Sequence, residues 1–325
     1  MRFLQWLIAL VAVALASVLA PIAARAQADY PNKPIRMIIG FPAGSAADVS
    51  ARVLASRMSQ ILGQQVVVES KPGAAGTIAA EYAAHAPKDG YTLFQTNSAV
   101  MTATIINPKT SLDLVKDFAP VALTNQAAVA LVVPPSVGVN SVQELVALAK
   151  AKPGEVLYAS TGVGAAPHLA GELFAMRAGL KLVHVPYTGS PQAVTDLIAG
   201  RVTMMFSPAS TIVSQVAAGR LKLLASATAK RPSALPDTPT MAEAGMPDFD
   251  TSIWFGLVAP AGTPAQIKEK LAHAVREATK ADDVVKAWHA RVIDPLDGGP
   301  DELARHMTSE TKRWTEVAIA AGLKK

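Results

Sequence analysis

Two stretches of this 325-residue chain put small hydroxyls and bare backbone where an anion could be held. The first runs from Phe41 through Pro42, Ala43, Gly44 and Ser45 to Asp48. The short apolar run Ile35–Phe41 feeds it, and from Ala46 onward Val49, Val53 and Leu54 share one helical face. The second is Ser160-Thr161-Gly162-Val163-Gly164, fed by the extended run Val156–Ser160 and followed by a helix over His168–Met176. A strand, a small-residue loop and a helix start together aim unpaired N–H groups and the positive end of the helix dipole beyond the strand. The chemistry on offer is capture of a carboxylate or phosphate. An ordinary βα turn has the same signature, so these residues leave both readings open.

Other chemistries fit less well. The absence of cysteine removes disulfides, thiol catalysis and cysteine-based zinc sites. No two of the six histidines lie four apart, and no metal site is expected. The Gly-x-Ser-x-Gly elbow is missing. Gly162-x-Gly164 invites a dinucleotide reading, but Pro167 stands at the third glycine position and Leu182–Pro186 offers no acid for a ribose. No P-loop signature is present. His168 is either a ligand contact or a helix-start residue bonded to its own loop. Asp48 is either a base or a cap on helical N–H groups. Trp254 and Phe255 either line a pocket or pack in the core. A secreted hydrolase using Ser45 or Ser160 with His168 is the enzymatic alternative.

These loops need a scaffold. Arg2 followed by an uncharged run from Leu4 to Ala24, with small residues before Gln27 and Asp29, is an export signal cleaved after about residue 26. The formal charge of +5 falls to +3 without Arg2 and Arg25, and no basic run suggests nucleic acid. Beyond the signal, extended and helical patterns alternate. Strands are expected at Gln65–Glu69, Tyr91–Thr96, Val129–Pro134, Leu182–Pro186, Val202–Phe206 and Leu221–Ala225, and Ile253–Ala259 reads as the last. Helices are expected at Thr77–Ala86, Ser141–Ala151 and Gln192–Ala199, then from Pro264 to the C-terminus with a break at Asp294–Pro300. Ser141 stands as N-cap with Glu144 at the capping-box position. Such alternation implies an α/β fold with parallel sheets covered by helices.

Several segments, in order along nearly the whole exported chain, resemble the periplasmic substrate-binding proteins of tripartite tricarboxylate transporters, the Bug family. They are Tyr30–Ile35, Phe41–Gly44 with Asp48, Leu62–Gln64 with Val66–Glu69, Lys71–Gly76 and Asp89–Leu93. Ser160–Gly164 with His168-Leu169, Val185–Gly189 with Asp196-Leu197, Arg231–Leu235, Pro239-Thr240 with Glu243–Gly245, and Trp254–Pro264 complete the set. The resemblance implies a type II periplasmic-binding-protein fold, two Rossmann-like α/β domains around a ligand cleft. It implies lobe 1 from residues 27–127 plus 250–325 and lobe 2 from 128–249.

It further implies two jaws closing on a carboxylate. Phe41, Ala43, Gly44, Ser45 and Asp48 belong to the first; Ser160, Thr161, Gly162, Val163, Gly164 and His168 to the second. Asn97 and Ser207 stand as side walls. The implied function is capture of a small carboxylate, a dicarboxylate or an aromatic acid such as terephthalate, by a monomer. Membrane transporter subunits or a sensor ectodomain would be its partners, and no cofactor is expected. Three positions depart from the family pattern. Ser45 replaces a second glycine, Ala47 replaces a hydroxyl residue before Asp48, and Thr188 stands where lysine is common.

Overall fold

The chain is described by a computed structural model covering residues 30–107, 110–228 and 230–320. The expected export signal lies outside these residues.

The buried run at Ile35–Ile39 forms β1, with Ile35, Met37, Ile38 and Ile39 excluded from solvent. The chain then builds α1 (Ala46–Leu62), β2 (Val66–Ser70), α2 (Thr77–Ala84), β3 (Thr92–Asn97), α3 (Ser98–Ile106) and β4 (Phe118–Ala127). A second series follows: β5 (Val129–Val133), α4 (Val142–Ala151), β6 (Leu157–Ser160), α5 (Ala166–Ala178), β7 (Val183–Pro186), α6 (Ser190–Ile198), β8 (Met204–Pro208), α7 (Ala209–Ala217) and β9 (Lys222–Ser226). The chain then returns with β10 (Ile253–Pro260), α8 (Ala265–Lys280), α9 (Asp282–His289), β11 (Ile293–Gly298) and α10 (Pro300–Ala320).

The strands form two sheets, each the floor of one lobe. The first is ordered β11-β4-β10-β3-β1-β2, the second β7-β6-β8-β5-β9. Neither is purely parallel, which corrects the reading from alternation. β1 runs parallel to β2 and β3, but β10 is antiparallel to β3 and β4, and β11 is antiparallel to β4. In the second sheet β6, β7 and β8 are parallel, and β5 is antiparallel to β8 and β9. The antiparallel strands β5 and β10 are the ones that follow passage from one sheet to the other. A crossing chain has no βαβ crossover to set its direction.

Two strands and two helices were not expected. β4 and β11 carry Pro120 and Pro295, which argue against strand in a sequence. Pro120 pairs with Val258 beside a register shift, and Pro295 lies on an edge strand next to another. Both are sites where a missing N–H breaks nothing. β11 also means that β10 is not the last strand. α3, Ser98-Ala-Val-Met-Thr-Ala-Thr-Ile-Ile106, and α7, Ala209–Ala217, are short and contain β-branched residues that favour strands.

Helix ends follow their caps. Ser141 Oγ accepts the Glu144 N–H at 3.1 Å, while the Glu144 carboxylate reaches one residue past the cap to the Asn140 N–H at 2.7 Å. A buried hydroxyl–amide network fixes α1 over the first sheet. Gln95 Nε2 and Asn125 Nδ2 both donate to Ser50 Oγ, at 2.9 and 2.8 Å, and Thr124 Oγ1 donates to the Phe255 carbonyl at 3.0 Å. The network joins α1, β3, β4 and β10, and all of its side chains are buried. Leaving any member unpaired there costs on the order of 1–3 kcal/mol. Helices α8 and α10, from the C-terminal part, pack on β4, so the returning segment completes the first lobe.

Candidate functional site

β1 delivers the first loop. Gly44 sits at φ +76°, in the left-handed region that glycine adopts without strain. Its N–H donates to Asp48 Oδ2 at 3.0 Å, and Asp48 Oδ1 accepts from Arg52 Nε at 2.8 Å. Both carboxylate oxygens are therefore engaged within the loop and first turn, so Asp48 serves as a brace. Ser45 is the N-cap of α1; its Oγ accepts the Asp48 N–H at 3.3 Å, and its own N–H goes to the Pro42 carbonyl at 3.2 Å. The N–H groups of Ala46 and Ala47, the first two of the helix, have no partner within the protein.

β3 ends on Asn97, whose Oδ1 accepts from the Ala99 and Val100 N–H groups at 3.0 and 3.1 Å. This caps α3 and leaves the two Nδ2 hydrogens unused. The residue is 2% exposed, so these donors meet only the little space left beside it.

On the second lobe β6 ends at Ser160. Its hydroxyl lies 2.6 Å from His184 Nε2 and accepts the Gly162 N–H at 3.2 Å. The Gly164 N–H donates to His168 Nδ1 at 3.0 Å. An amide can only donate, so Nδ1 is the unprotonated nitrogen and the ring proton sits on Nε2, which faces Glu172 Oε1 at 3.8 Å. The two histidine rings stack with centroids 4.0 Å apart, and Tyr158 stacks on His184 at 4.9 Å while its hydroxyl bonds Glu172. Burial pushes His168 below its ordinary pKa. Burial, with the proximity of His168, lowers His184 to about 4. The pair therefore stands neutral beneath the loop at neutral pH. Sequence reasoning missed His184, and Ser160 is paired with it rather than with His168.

The lobes meet around a small cavity of about 30 Å³. Five helices present their N-terminal ends to it: α1 through Ser45, Ala46 and Ala47; α3 through Asn97 and Ala99; α5 through Pro167; α6 through Ser190; α7 through Pro208. Phe41, Thr161, Ile253 and Phe255 complete the wall. None of these residues carries a formal charge. Each helix end contributes typically 0.3–1 kcal/mol, up to about 2 where partly buried, to holding negative charge.

Of the residues singled out from sequence, Phe41, Ser45, Asn97 and Thr161 line the cavity. Ala43, Gly44, Asp48, Ser160, Gly162, Gly164 and His168 lie behind or beside it in the two loops. Val163 is 57% exposed, and the Ser207 hydroxyl is buried against Thr211 Oγ1 at 3.0 Å. Phe255 lines the cavity while Trp254 turns away, edge-on to His306. Ala46, Ala47, Ala99, Pro167, Ser190, Pro208 and Ile253 were missed. The Ser190-Pro191 helix start carried a usable signal, a proline in the first turn two residues after Gly189.

The loops touch across the cavity. The Thr102 hydroxyl donates to the Gly164 carbonyl. A Cβ added to Gly162 would stand 3.8 Å from that of Ala75, one of two consecutive alanines held at positive φ, +47° and +52°. Gly189 lies so close to Pro42 that an added Cβ would sit 2.6 Å from its Cγ.

Residues 50–323 match the profile of the tripartite tricarboxylate transporter family receptor. The chain is 37% identical to Protein BugT of Bordetella pertussis over 308 residues, 94% of each chain. Among solved structures it resembles R. palustris Rpa4515 with adipate, with a TM-score of 0.88 and 34% identity over 90% of this chain and 99% of that one. It also resembles the periplasmic binding protein BugD, with a TM-score of 0.87 and 30% identity over 91% and 100% of the two chains.

Proposed function

Because this chain belongs to the tripartite tricarboxylate transporter receptor family, we propose that it is the periplasmic receptor that captures a small carboxylate between its lobes and delivers it to a membrane transporter. The family is one of periplasmic solute-binding proteins and not of enzymes. Among the described residues no helix is long and apolar enough to cross a membrane. The observation that carries the reading is the convergence of five helix starts on one formally uncharged cavity. Unpartnered amides of Ala46 and Ala47 and the Asn97 amide group line it. Such donors hold an anion without a fixed counter-ion. Rpa4515, structured with adipate, supports a carboxylate as the anion.

The working parts divide as follows. Residues 1–26 direct export and are removed. Lobe 1 comprises 27–127 and 250–325, and lobe 2 comprises 128–249. The acid docks on the α1 and α3 ends, the lobes close, and the Thr161 loop and the start of α6 cover it. Transporter subunits or a sensor ectodomain then read the closed monomer. Binding is the whole mechanism, and closure is driven by the ligand's preference for the closed state.

The test is thermal unfolding against a panel of carboxylates, each beside its primary amide. A ligand at 100 times its dissociation constant stabilises by about 2.7 kcal/mol, since it binds only the folded chain. The acid should raise the melting temperature and its amide should not. Equal shifts from acid and amide would refute an anion seat.

A further inference from the structure

Resting on that carboxylate-receptor reading, we propose that Thr102 is a positioning residue that sets the affinity of the cleft without touching the ligand. Its hydroxyl latches the lobe 2 loop to α3 in the closed form and returns to its own helix when the cleft opens.

Thr102 lies on α3 of lobe 1, three residues after Ala99, and is 1% exposed. Three carbonyl oxygens surround its hydroxyl. Those of Ser98 and Ala99, at 3.0 and 3.1 Å, belong to its own helix; the third, that of Gly164, belongs to lobe 2. A hydroxyl has one proton to donate. It therefore has a partner in either state, Gly164 when the lobes meet and the preceding turn of α3 when they part. A helical threonine makes that back-bond readily. Opening leaves no donor orphaned, so the latch can release.

Gly164 has no such reserve. It is buried, and no backbone N–H among the described residues reaches its carbonyl. Its own N–H is held within lobe 2 by His168 Nδ1 at 3.0 Å. The glycine sits at φ +81°, and an added Cβ would come to 3.4 Å from Ala103 Cα, so the loop rests directly on the α3 backbone. Holding this carbonyl fixes what lies on either side of it. Thr161 and Pro167, three residues away in each direction, line the cavity, and Thr102 does not.

A group that stabilises the closed form without facing the ligand tightens every ligand that needs closure by one common factor. It changes the closed fraction and no ligand contact. Docking on the open form is untouched, and release, which must break the latch, is slowed.

The experiment compares the exported parent chain with Thr102→Val, which replaces the hydroxyl by a methyl of the same shape, and with Thr102→Ser, which keeps the hydroxyl. Thr102→Ala is the second variant without a hydroxyl. Each is titrated calorimetrically at pH 7 with succinate, malate, adipate, benzoate, terephthalate and nicotinate; surface plasmon resonance gives release rates, and circular dichroism is the folding control. Thr102→Val and Thr102→Ala should lose at least about fivefold in affinity for every acid that the parent binds, by one common factor and through faster release. Thr102→Ser should bind like the parent. Unchanged affinity in the folded valine and alanine variants, a loss confined to some of the acids, or an equal loss in Thr102→Ser overturns the latch and leaves the carboxylate receptor standing. A parent chain that binds none of the six acids overturns the receptor reading and this inference with it.

Discussion

Asn97 uses one side chain for two tasks. Its oxygen caps α3, and its nitrogen is left to donate at the cavity. The tasks can be separated by an isosteric change. Aspartate caps a helix as well as asparagine does, so Asn97→Asp should fold with a melting temperature within a few degrees of the parent. The second oxygen then replaces the donor and brings negative charge to the acid's seat. Affinity for the acid should fall at least about tenfold, or 1.4 kcal/mol. Titration with circular dichroism as the folding control decides it; unchanged affinity in folded Asn97→Asp means that the seat lies elsewhere. At this scale the sequence was informative where loop residues reach the cavity directly, as with Phe41, Ser45, Asn97 and Thr161. For Asp48 and His168 it left two roles open, a ligand contact or base against a local cap or loop bond, and the structure shows the local bonds, because residue type says what a group can bond and not which partner reaches it first. Each Asp48 oxygen is engaged, by Gly44 and by Arg52, and His168 Nδ1 by the Gly164 amide.

At the scale of elements, β6, β7 and α5 bring Tyr158, His184 and His168 into one stack beneath the second loop. Charged or titratable groups in contact with it are Glu172, on α5, and the histidines themselves; Ser160 supplies the hydroxyl. Both histidines are depressed, so the folded chain keeps them neutral while the unfolded chain protonates them near pH 6.5. The unfolded state then binds more protons between about pH 6.5 and about 4, and stability falls as pH falls through that window. After allowance for its partial exposure, His184 should account for about 1 kcal/mol of loss between pH 7 and 5. Urea unfolding at the two pH values should show the drop, and His184→Gln, which cannot titrate, should shrink it. A drop of the same size in the variant would clear His184 of the effect. The stack was not legible because its members lie on separate strands and a helix, spaced by parallel pairing of β6 with β7. The elements themselves were mostly legible from apolar periodicity. The failures, α3, α7, β4 and β11, are short or proline-bearing pieces settled by a cap, a bulge or an edge position rather than by pattern.

The molecule as a whole depends on two sheets meeting at one seam, a level that resemblance rather than residue pattern made legible. A single residue, Ala128, separates β4 of one sheet from β5 of the other, and the return passes through Ala227 and Thr251, whose backbones bond each other at 2.9 Å. With connections this tight, motion between the lobes is confined to a few backbone torsions, which suits hinge closure. The structure is in a closed arrangement. Thr102 bonds Gly164, and Pro42 rests on Gly189. Gly189 isolates closure from folding. Its φ of 176° is extended and open to any residue, yet an added Cβ would lie 2.6 and 2.9 Å from the ring carbons of Pro42 on the opposite lobe. A proline ring cannot swing aside as a flexible side chain would. Gly189→Ala should therefore leave each lobe intact and unfold at the parent temperature without ligand, but obstruct the last step of closure. Apparent affinity falls by the fraction of binding-competent closed molecules, so a loss of at least about tenfold is expected. Small-angle scattering should show the parent contracting when its acid is added and Gly189→Ala contracting less. A variant that binds and contracts like the parent would show that Pro42 and Gly189 meet only in passing, and that the cleft seals without this contact.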